Sequence, residues 1–426
     1  MHPTGAHDLP AADDHRSSPE PVHTPETIRQ GVPLTGHATT GAAPTDAALF
    51  GADAATLEAD AAERDAAERD AGAAPARHDD AAVPAVGAGN ATTRHRNVAL
   101  LSVASTMATR VTTSASIDEK LRPVLKRLKL PTGLLQRVAG VDERRNWAEG
   151  QSFDEAAIDA GKRALAEAGV RPDQVGLLIN TSVTRPHLEP SVAVRLHHGL
   201  GLPSSATNFD IANACLGFVN GMTLAAQLID AGQIDYAVII DGEDADDVQV
   251  NTIDRLLTKG YERDDFMSEF ASLTLGSGAA AAVIGRADRH PEGHRILGGV
   301  TRAATENYDL CVGSVDGMFT DAKALLKRGM ELVVSAWKEA ARDWNWQRMD
   351  RYIMHQVSDV HTGAFVKAAG IDRKRVPLTY PTLGNVGPAS IPITLVEESR
   401  TLSKGDRVLL MGVGSGINTA MMELAW

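Results

Sequence analysis

One spacing, written twice, constrains this chain more than any other feature. From Ile179, near the end of an apolar run, to Cys215 is 36 residues, and from Cys215 to Val238 in the next apolar run is 23. From Met354 to Gly387 is 33 residues, and from Gly387 to Leu410 is again 23. Each stretch reads as strand, loop, small-residue turn, helix, strand. Repetition at this length implies two similar α/β halves. α/β proteins often repeat at such periods, so a duplication also requires matching elements in the two stretches.

The elements agree with that grammar. NVALLSVAS from Asn97 reads as a first strand, and a helix-like segment runs from Ile117 to Leu130. Ser152 to Ala168 alternates as an amphipathic helix, with Ser152 expected as N-cap, Glu155 at the capping-box position and Gly169 beyond the end. Val175–Thr181 and Tyr236–Ile240 are short apolar runs between turns, hence buried strands, and Leu216 to Ala231 reads helical between them. In the second half, Lys323–Ala341 reads as a helix and Arg351–Met354 as a strand ending at His355. A helix opens in Thr382–Ser390, and Arg407–Met411 is a further strand.

Residues 1–94 differ from the rest. They hold 15 acids, 6 arginines, no lysine and one aromatic residue, Phe50. Such a stretch buries too little apolar surface to offset its ordering entropy, so it reads as a disordered acidic leader, with one helical patch in the repeat at 60–71. The expected division is leader 1–94, a first half 95–270 and a second half 271–426. The body is nearly charge-balanced and carries no basic cluster, which argues against nucleic acid or an anionic membrane as main partner. The N-terminus lacks the apolar core of a signal peptide, and no uninterrupted run reaches the ~18 apolar residues of a membrane span. Two cysteines, Cys215 and Cys311, make neither a disulfide framework nor a cysteine-rich zinc site. A reduced, cytoplasmic setting is expected.

Several residues sit where chemistry is possible. Cys215, in Asn213-Ala214-Cys215-Leu216-Gly217-Phe218, lies between a strand and an apolar helix. A helix start favours the thiolate, and the small neighbours leave room for a carbonyl. The plain alternative is a small core cysteine. Cys311 has neither feature and reads as structural. His355 closes a strand and precedes a helix, where it is either a base for a cysteine nucleophile or a buried hydrogen-bonded histidine. His355, Asp359 and His361 make only a weak metal set, without a recognised ligand motif. Asn385, between Gly384 and Gly387, is a turn residue whose amide could donate to an oxyanion. Gly412-Val413-Gly414-Ser415-Gly416 suggests a nucleotide loop, but only ten residues follow it, too few for a βαβ unit. It can still aim a backbone N–H into a site. Glu189 precedes Pro190 and, on its own, reads as an acid favourably placed near a helix start.

Taken together, NACLGF, the strand-end His355, the GNVGPAS turn and the C-terminal glycine loop resemble the thiolase superfamily, specifically β-ketoacyl-acyl carrier protein synthase III-like enzymes. The resemblance covers about Val98 to Trp426. LLINTSVTRPHLEPS, DGEDA, LTLGSGAAAAVIG, GGVTRAATE, HQVS and GNVGPASIP look like the acyl-CoA condensing enzyme of head-to-head long-chain olefin biosynthesis. That resemblance implies a five-layered αβαβα thiolase fold built from two duplicated halves, and a homodimer. It implies Cys215 as nucleophile with His355 and Asn385 completing the triad. The backbone N–H groups of Cys215 and Ser415 would form one oxyanion site, and His355 and Asn385 would serve the enolate. Glu189 would be the base that enters the partner's site. The implied reaction joins two long-chain fatty acyl-CoAs without decarboxylation, giving a 2-alkyl-3-keto acid, with no cofactor or metal and with downstream hydrocarbon-pathway enzymes as possible partners. Three alternatives stand beside it: a decarboxylating synthase using a malonyl donor, a condensing enzyme of a β-lactone pathway, and an inactive scaffolding subunit.

Overall fold

The computed structural model describes residues 92–314 and 316–426, so nearly all of the acidic leader and its repeat at 60–71 lie outside the described residues. The described chain begins inside the expected leader. Thr92–Arg94 form strand β1, paired antiparallel with Val300, Gly299 and Gly298. The expected boundary at 94 therefore falls too late: the Thr92-Thr93 pair supplies β-branched residues to a sheet edge.

The first half runs β2 (Val98–Met107), β3 (Arg110–Thr113), α1 (Ser114–Arg127), β4 (Glu143–Asn146), α2 (Phe153–Glu167), β5 (Leu177–Asn180), α3 (Val192–Leu200), β6 (Thr207–Asp210), α4 (Gly217–Asp230), β7 (Tyr236–Glu243), α5 (Asp246–Thr258), α6 (Arg263–Glu269) and β8 (Gly278–Arg286). The second runs β9 (His294–Ala303), β10 (Cys311–Ser314), β11 (Gly317–Thr320), α7 (Ala322–Ala340), β12 (Arg351–Met354), α8 (Asp359–Ala369), α9 (Ser390–Ser399), β13 (Arg407–Gly414) and β14 (Asn418–Ala425).

Pairing shows the duplication directly. In the first half β2, β8 and β7 are antiparallel neighbours, and β7 continues parallel to β5. In the second, β9, β14 and β13 are antiparallel neighbours, and β13 continues parallel to β12. The first half adds β6 beyond β5. The halves meet through β2 and β9 at only two residue pairs, Ala99 with Arg295 and Leu100 with His294. Strand β8, the small-residue run GAAAAVIGR, belongs to the first half. The expected boundary after residue 270 is thus corrected to the turn between β8 and β9.

Packing gives five layers. Helices α2 and α3 cover one face of the first sheet through Ala156, Ala160, Ala164, Val192 and Leu196 against Leu178, Val238 and Ile240. Helices α4 and α9 fill the middle, where Phe218, Met222, Ile229, Ile391 and Leu395 pack between strands of both halves. Helices α7 and α8 cover the far face of the second sheet through Trp337, Ala340 and Phe365 against Tyr352, Leu409 and Met421. Each large side chain buried in the middle layer contributes about 1.5–3 kcal/mol, so these helix starts are held by both sheets. Ser152 does precede α2 but makes no side-chain cap, so the expected capping box does not form. Among the described residues, no helix is long and apolar enough to cross a membrane.

Candidate active site

The nucleophile candidate sits on a forced turn. After β6 the chain reaches Asn213, then Ala214 with φ of 43°, a left-handed backbone unusual for a residue with a Cβ. Ala214–Leu216 makes one tight helical turn and runs into α4. Gly217 lets that helix start press on the end of β5, since a Cβ there would lie 3.0 Å from the Thr181 carbonyl oxygen. Cys215 keeps part of its surface open, but it lies deep in the chain, and its thiol is pushed up to about 12. Burial is the main cause, followed by Cys311, Glu243 and Asp241, while the backbone N–H of Cys215 acts the other way. The helix start was expected to favour the thiolate; desolvation and two nearby carboxylates outweigh it, so the cysteine needs a base.

His355 stands at the end of β12, where its backbone N–H donates to the Met411 carbonyl at 2.8 Å. Burial, reinforced by His361, lowers its imidazole to about 3, so it is neutral at pH 7. Its Nδ1 is 3.3 Å from the Ser390 hydroxyl, which also reaches the Gly387 carbonyl oxygen at 2.5 Å. Ser390 has one proton to give. Donated to Gly387, it leaves Nδ1 protonated and Nε2 free to accept; donated to Nδ1, it leaves Nε2 protonated and able to donate.

Asn385 is fixed by its own backbone. Its N–H donates to Thr274 O and its carbonyl accepts from Gly276, each at 2.9 Å. Its Oδ1 accepts the Gly387 N–H at 3.0 Å, so the other end of the amide, Nδ2, is the end turned outward as a donor. Gly384, at φ of 73°, permits this. A Cβ there would meet the Thr274 oxygen at 2.7 Å.

The glycine loop is the β13–β14 hairpin. Its glycines allow a close approach to the nucleophile turn: a Cβ on Gly412 would lie 2.4 Å from Leu216 Cδ1, and one on Gly414 would lie 2.8 Å from the Asn213 oxygen. Ser415 is therefore carried at the tip of a hairpin pressed on the residues around Cys215. Sequence reasoning missed the amide chain that locks it: Asn418 Nδ2 donates to Asn213 Oδ1 at 3.1 Å, and Asn213 Nδ2 donates to Asn220 Oδ1 at 2.7 Å. The Cys215 turn also packs against Gly387–Ala389, so Cys215, His355, the Asn385 turn and the hairpin converge on one place.

Glu189 lies elsewhere. It is exposed on the loop between β5 and α3, beside Leu188, which is 96% exposed, so a single chain leaves it outside the enclosed cluster. The metal set does not form. His361 Nδ1 pairs with Ser358 Oγ at 2.8 Å, Asp359 accepts the Tyr380 hydroxyl, and no three candidate ligands gather among the described residues. Two buried acids were missed, Asp241 and Glu243 on β7. Burial raises both, Glu243 to about 7, and their mutual repulsion adds to the shift at Asp241. Their signal was the DGE ending of a strand that is otherwise wholly apolar.

Known proteins match this chain in sequence and in fold. The profile described as 3-oxoacyl-[acyl-carrier-protein] synthase III matches residues 209–304, and its C-terminal counterpart matches 340–426. A Xanthomonas campestris acyl-CoA:acyl-CoA alkyltransferase is 42% identical over 78% of this chain and 99% of its own. The chain belongs to this alkyltransferase family within the synthase III-like thiolase superfamily. The Shewanella oneidensis member is 32% identical over 78% of this chain and all of its own. Crystal structures of Xanthomonas campestris OleA, one a cysteine-to-serine variant with bound lauric acid and lauroyl-CoA, superpose with a TM-score of 0.76 at 42% identity, covering 78% of this chain and 100% of that one. As a family member the chain is an acyltransferase with the thiolase fold, and its five layers are those of that fold.

Proposed function

We propose that the protein condenses two long-chain fatty acyl-CoAs by a non-decarboxylative Claisen reaction, yielding a 2-alkyl-3-keto acid. The observation that carries this reading is the convergence of Cys215, His355 and Asn385 in a chain 42% identical to an acyl-CoA:acyl-CoA alkyltransferase. His355 Nε2 takes the Cys215 proton as sulfur attacks the first thioester carbonyl, and the departing CoA leaves as the thiol with that proton. The backbone N–H groups of Cys215 and Ser415 hold the tetrahedral oxyanion. Glu189, supplied by the partner subunit of a homodimer, removes the α-proton of a second acyl-CoA. Asn385 Nδ2 and His355 donate to the enolate oxygen, and the carbanion attacks the acyl group on Cys215, expelling the cysteine sulfur. No carboxyl is lost to create the carbanion, so a separate base is required, and that is the chemical need Glu189 meets. Its exposure beside Leu188 supports a role on a neighbouring chain. Hydrolysis of the remaining thioester releases the keto acid. Glu189→Gln tests the assignment by separating acylation, which does not need the carboxylate, from condensation, which does.

A further inference from the structure

The first half carries a carboxylate that this chemistry does not use. Glu243 closes β7, a strand buried along its whole length. One of its oxygens accepts the Val183 N–H at 2.6 Å; the other accepts the Thr184 N–H at 3.1 Å and the Thr184 hydroxyl at 2.6 Å. A carboxylate can accept on both oxygens at once, which an amide cannot. Thr184 Oγ1 in turn accepts the Asp244 N–H at 2.9 Å, so the end of β7 and the root of the β5–α3 loop form a closed circuit.

That loop presents Glu189 a few residues later. Its far end is tied by a second carboxylate: Asp210 accepts the Val192 and Ala193 N–H groups at 3.0 and 2.9 Å and lies 3.8 Å from the Arg185 guanidinium. Glu243 also borders the turn that follows Asn385, since a Cβ on Gly387 would lie 3.5 Å from its carboxyl carbon. One side chain thus touches the loop that carries Glu189 toward the partner's site and the turn that follows Asn385 in its own chain. Its charge opposes the first half-reaction, because it helps push the Cys215 thiol up.

We propose that Glu243 is a positioning residue for carbon–carbon bond formation, clamping the Val183–Thr184 root so that the loop keeps Glu189 in its working place. The inference rests on the condensation reading and on Glu189 as its base. With both oxygens engaged by the loop, Glu243 itself does not move the substrate's proton.

The test pairs two variants with two rates. Glu243→Gln keeps the size but turns an NH₂ toward donors on one side. With one long-chain acyl-CoA, the acyl-enzyme burst on Cys215 is expected at the wild-type rate or faster. Steady-state condensation is expected to fall roughly 10–100-fold, as ångström-scale misplacement does. Placed on Glu189→Gln, the same change should cost nothing further, because the two positions act through one another. Thr184→Val removes the two hydroxyl bonds of the circuit, to Glu243 and from the Asp244 N–H, while keeping its shape and both backbone bonds to Glu243; it should show the same split with a smaller loss, and it carries the test if Glu243→Gln does not fold. Losses that multiply in the double variant, or burst and condensation falling together in the single variants, overturn the proposal. Glu189→Gln condensing at the wild-type rate overturns the condensation reading itself, and is distinguished because it appears with Glu243 intact.

Discussion

Thr181 and His355 occupy the same place in the two halves of the molecule. Each follows a short parallel strand and donates its backbone N–H to the neighbouring strand, Thr181 to Ile240 at 2.9 Å and His355 to Met411 at 2.8 Å. The registers agree, with Asn180 facing Ile240 and Met354 facing Met411. From there the halves diverge. Where β7 continues with Asp241 and Glu243, β13 continues with Gly412 and Gly414. One half buries carboxylates that bind the hydroxyls of Thr181 and Thr184. The other leaves out side chains altogether, and Leu216 and Asn213 fill the space. The same contrast holds at the helix starts, Ala214–Leu216 before α4 and Gly387–Ala389 before α9. A duplicated scaffold thus sets two helix starts and two strand ends against each other, and substitution at matched positions makes the asymmetric site.

The contrast breaks most sharply at the nucleophile. Cys215→Ser is expected to abolish condensation, and mass spectrometry of trapped wild-type enzyme should find one acyl group on Cys215; an acyl group on Cys311 would remove the assignment. Next comes Glu189→Gln, which should keep the acyl-enzyme burst while lowering condensation roughly 10²–10⁴-fold, the loss of a general base. Mixing it with Cys215→Ser protomers should restore part of the activity if subunits exchange. Restoration absent under conditions of proven exchange would place Glu189 within its own chain's site.

Gly414→Ala sharpens the comparison from the other half. A methyl 2.8 Å from the Asn213 oxygen has to displace the hairpin or the nucleophile turn, at about 1–3 kcal/mol, with slower acylation of Cys215. Calorimetry combined with burst kinetics checks it, and an unchanged pair of values would show that the close approach does not matter. A further effect is on pH-dependent stability. His355 is lowered to about 3 from the ordinary 6.5, so the unfolded chain binds a proton that the folded chain refuses. Stability from this group is complete above about pH 6.5 and falls as pH drops toward 3. Glu243, raised to about 7 by burial, works with the opposite sign, and its burial cost grows as pH rises from 4.5 through 7. Denaturant titrations across pH 4–8 should therefore show His355→Gln flattening the acid side and Glu243→Gln the neutral side.

Much of this was legible beforehand, for physical reasons. Apolar runs such as Tyr236–Ile240 and Arg351–Met354 announce buried parallel strands, and the small-residue turns before α4 and α9 announce close approach to a site. What could not be read was long-range. Strand β8 is an alanine run whose partners lie far away in sequence, so its place in the first half was hidden. The sign of the Cys215 shift depends on enclosure and on Glu243 and Asp241, which no local rule about helix starts contains. The amide chain through Asn213, Asn220 and Asn418 joins residues up to 205 positions apart. Glu189 was recognised through resemblance, and its exposure on a single chain could not be read from composition.

In the proposed chemistry a base removes the α-proton, and no decarboxylation takes its place. The most direct measurement incubates the purified 426-residue protein with a single long-chain acyl-CoA and no malonyl compound, and analyses the products by mass spectrometry. Non-decarboxylative condensation gives a 2-alkyl-3-keto acid carrying two copies of the supplied chain, with release of CoA. A carbon–carbon bond formed only when a malonyl donor is added would contradict it.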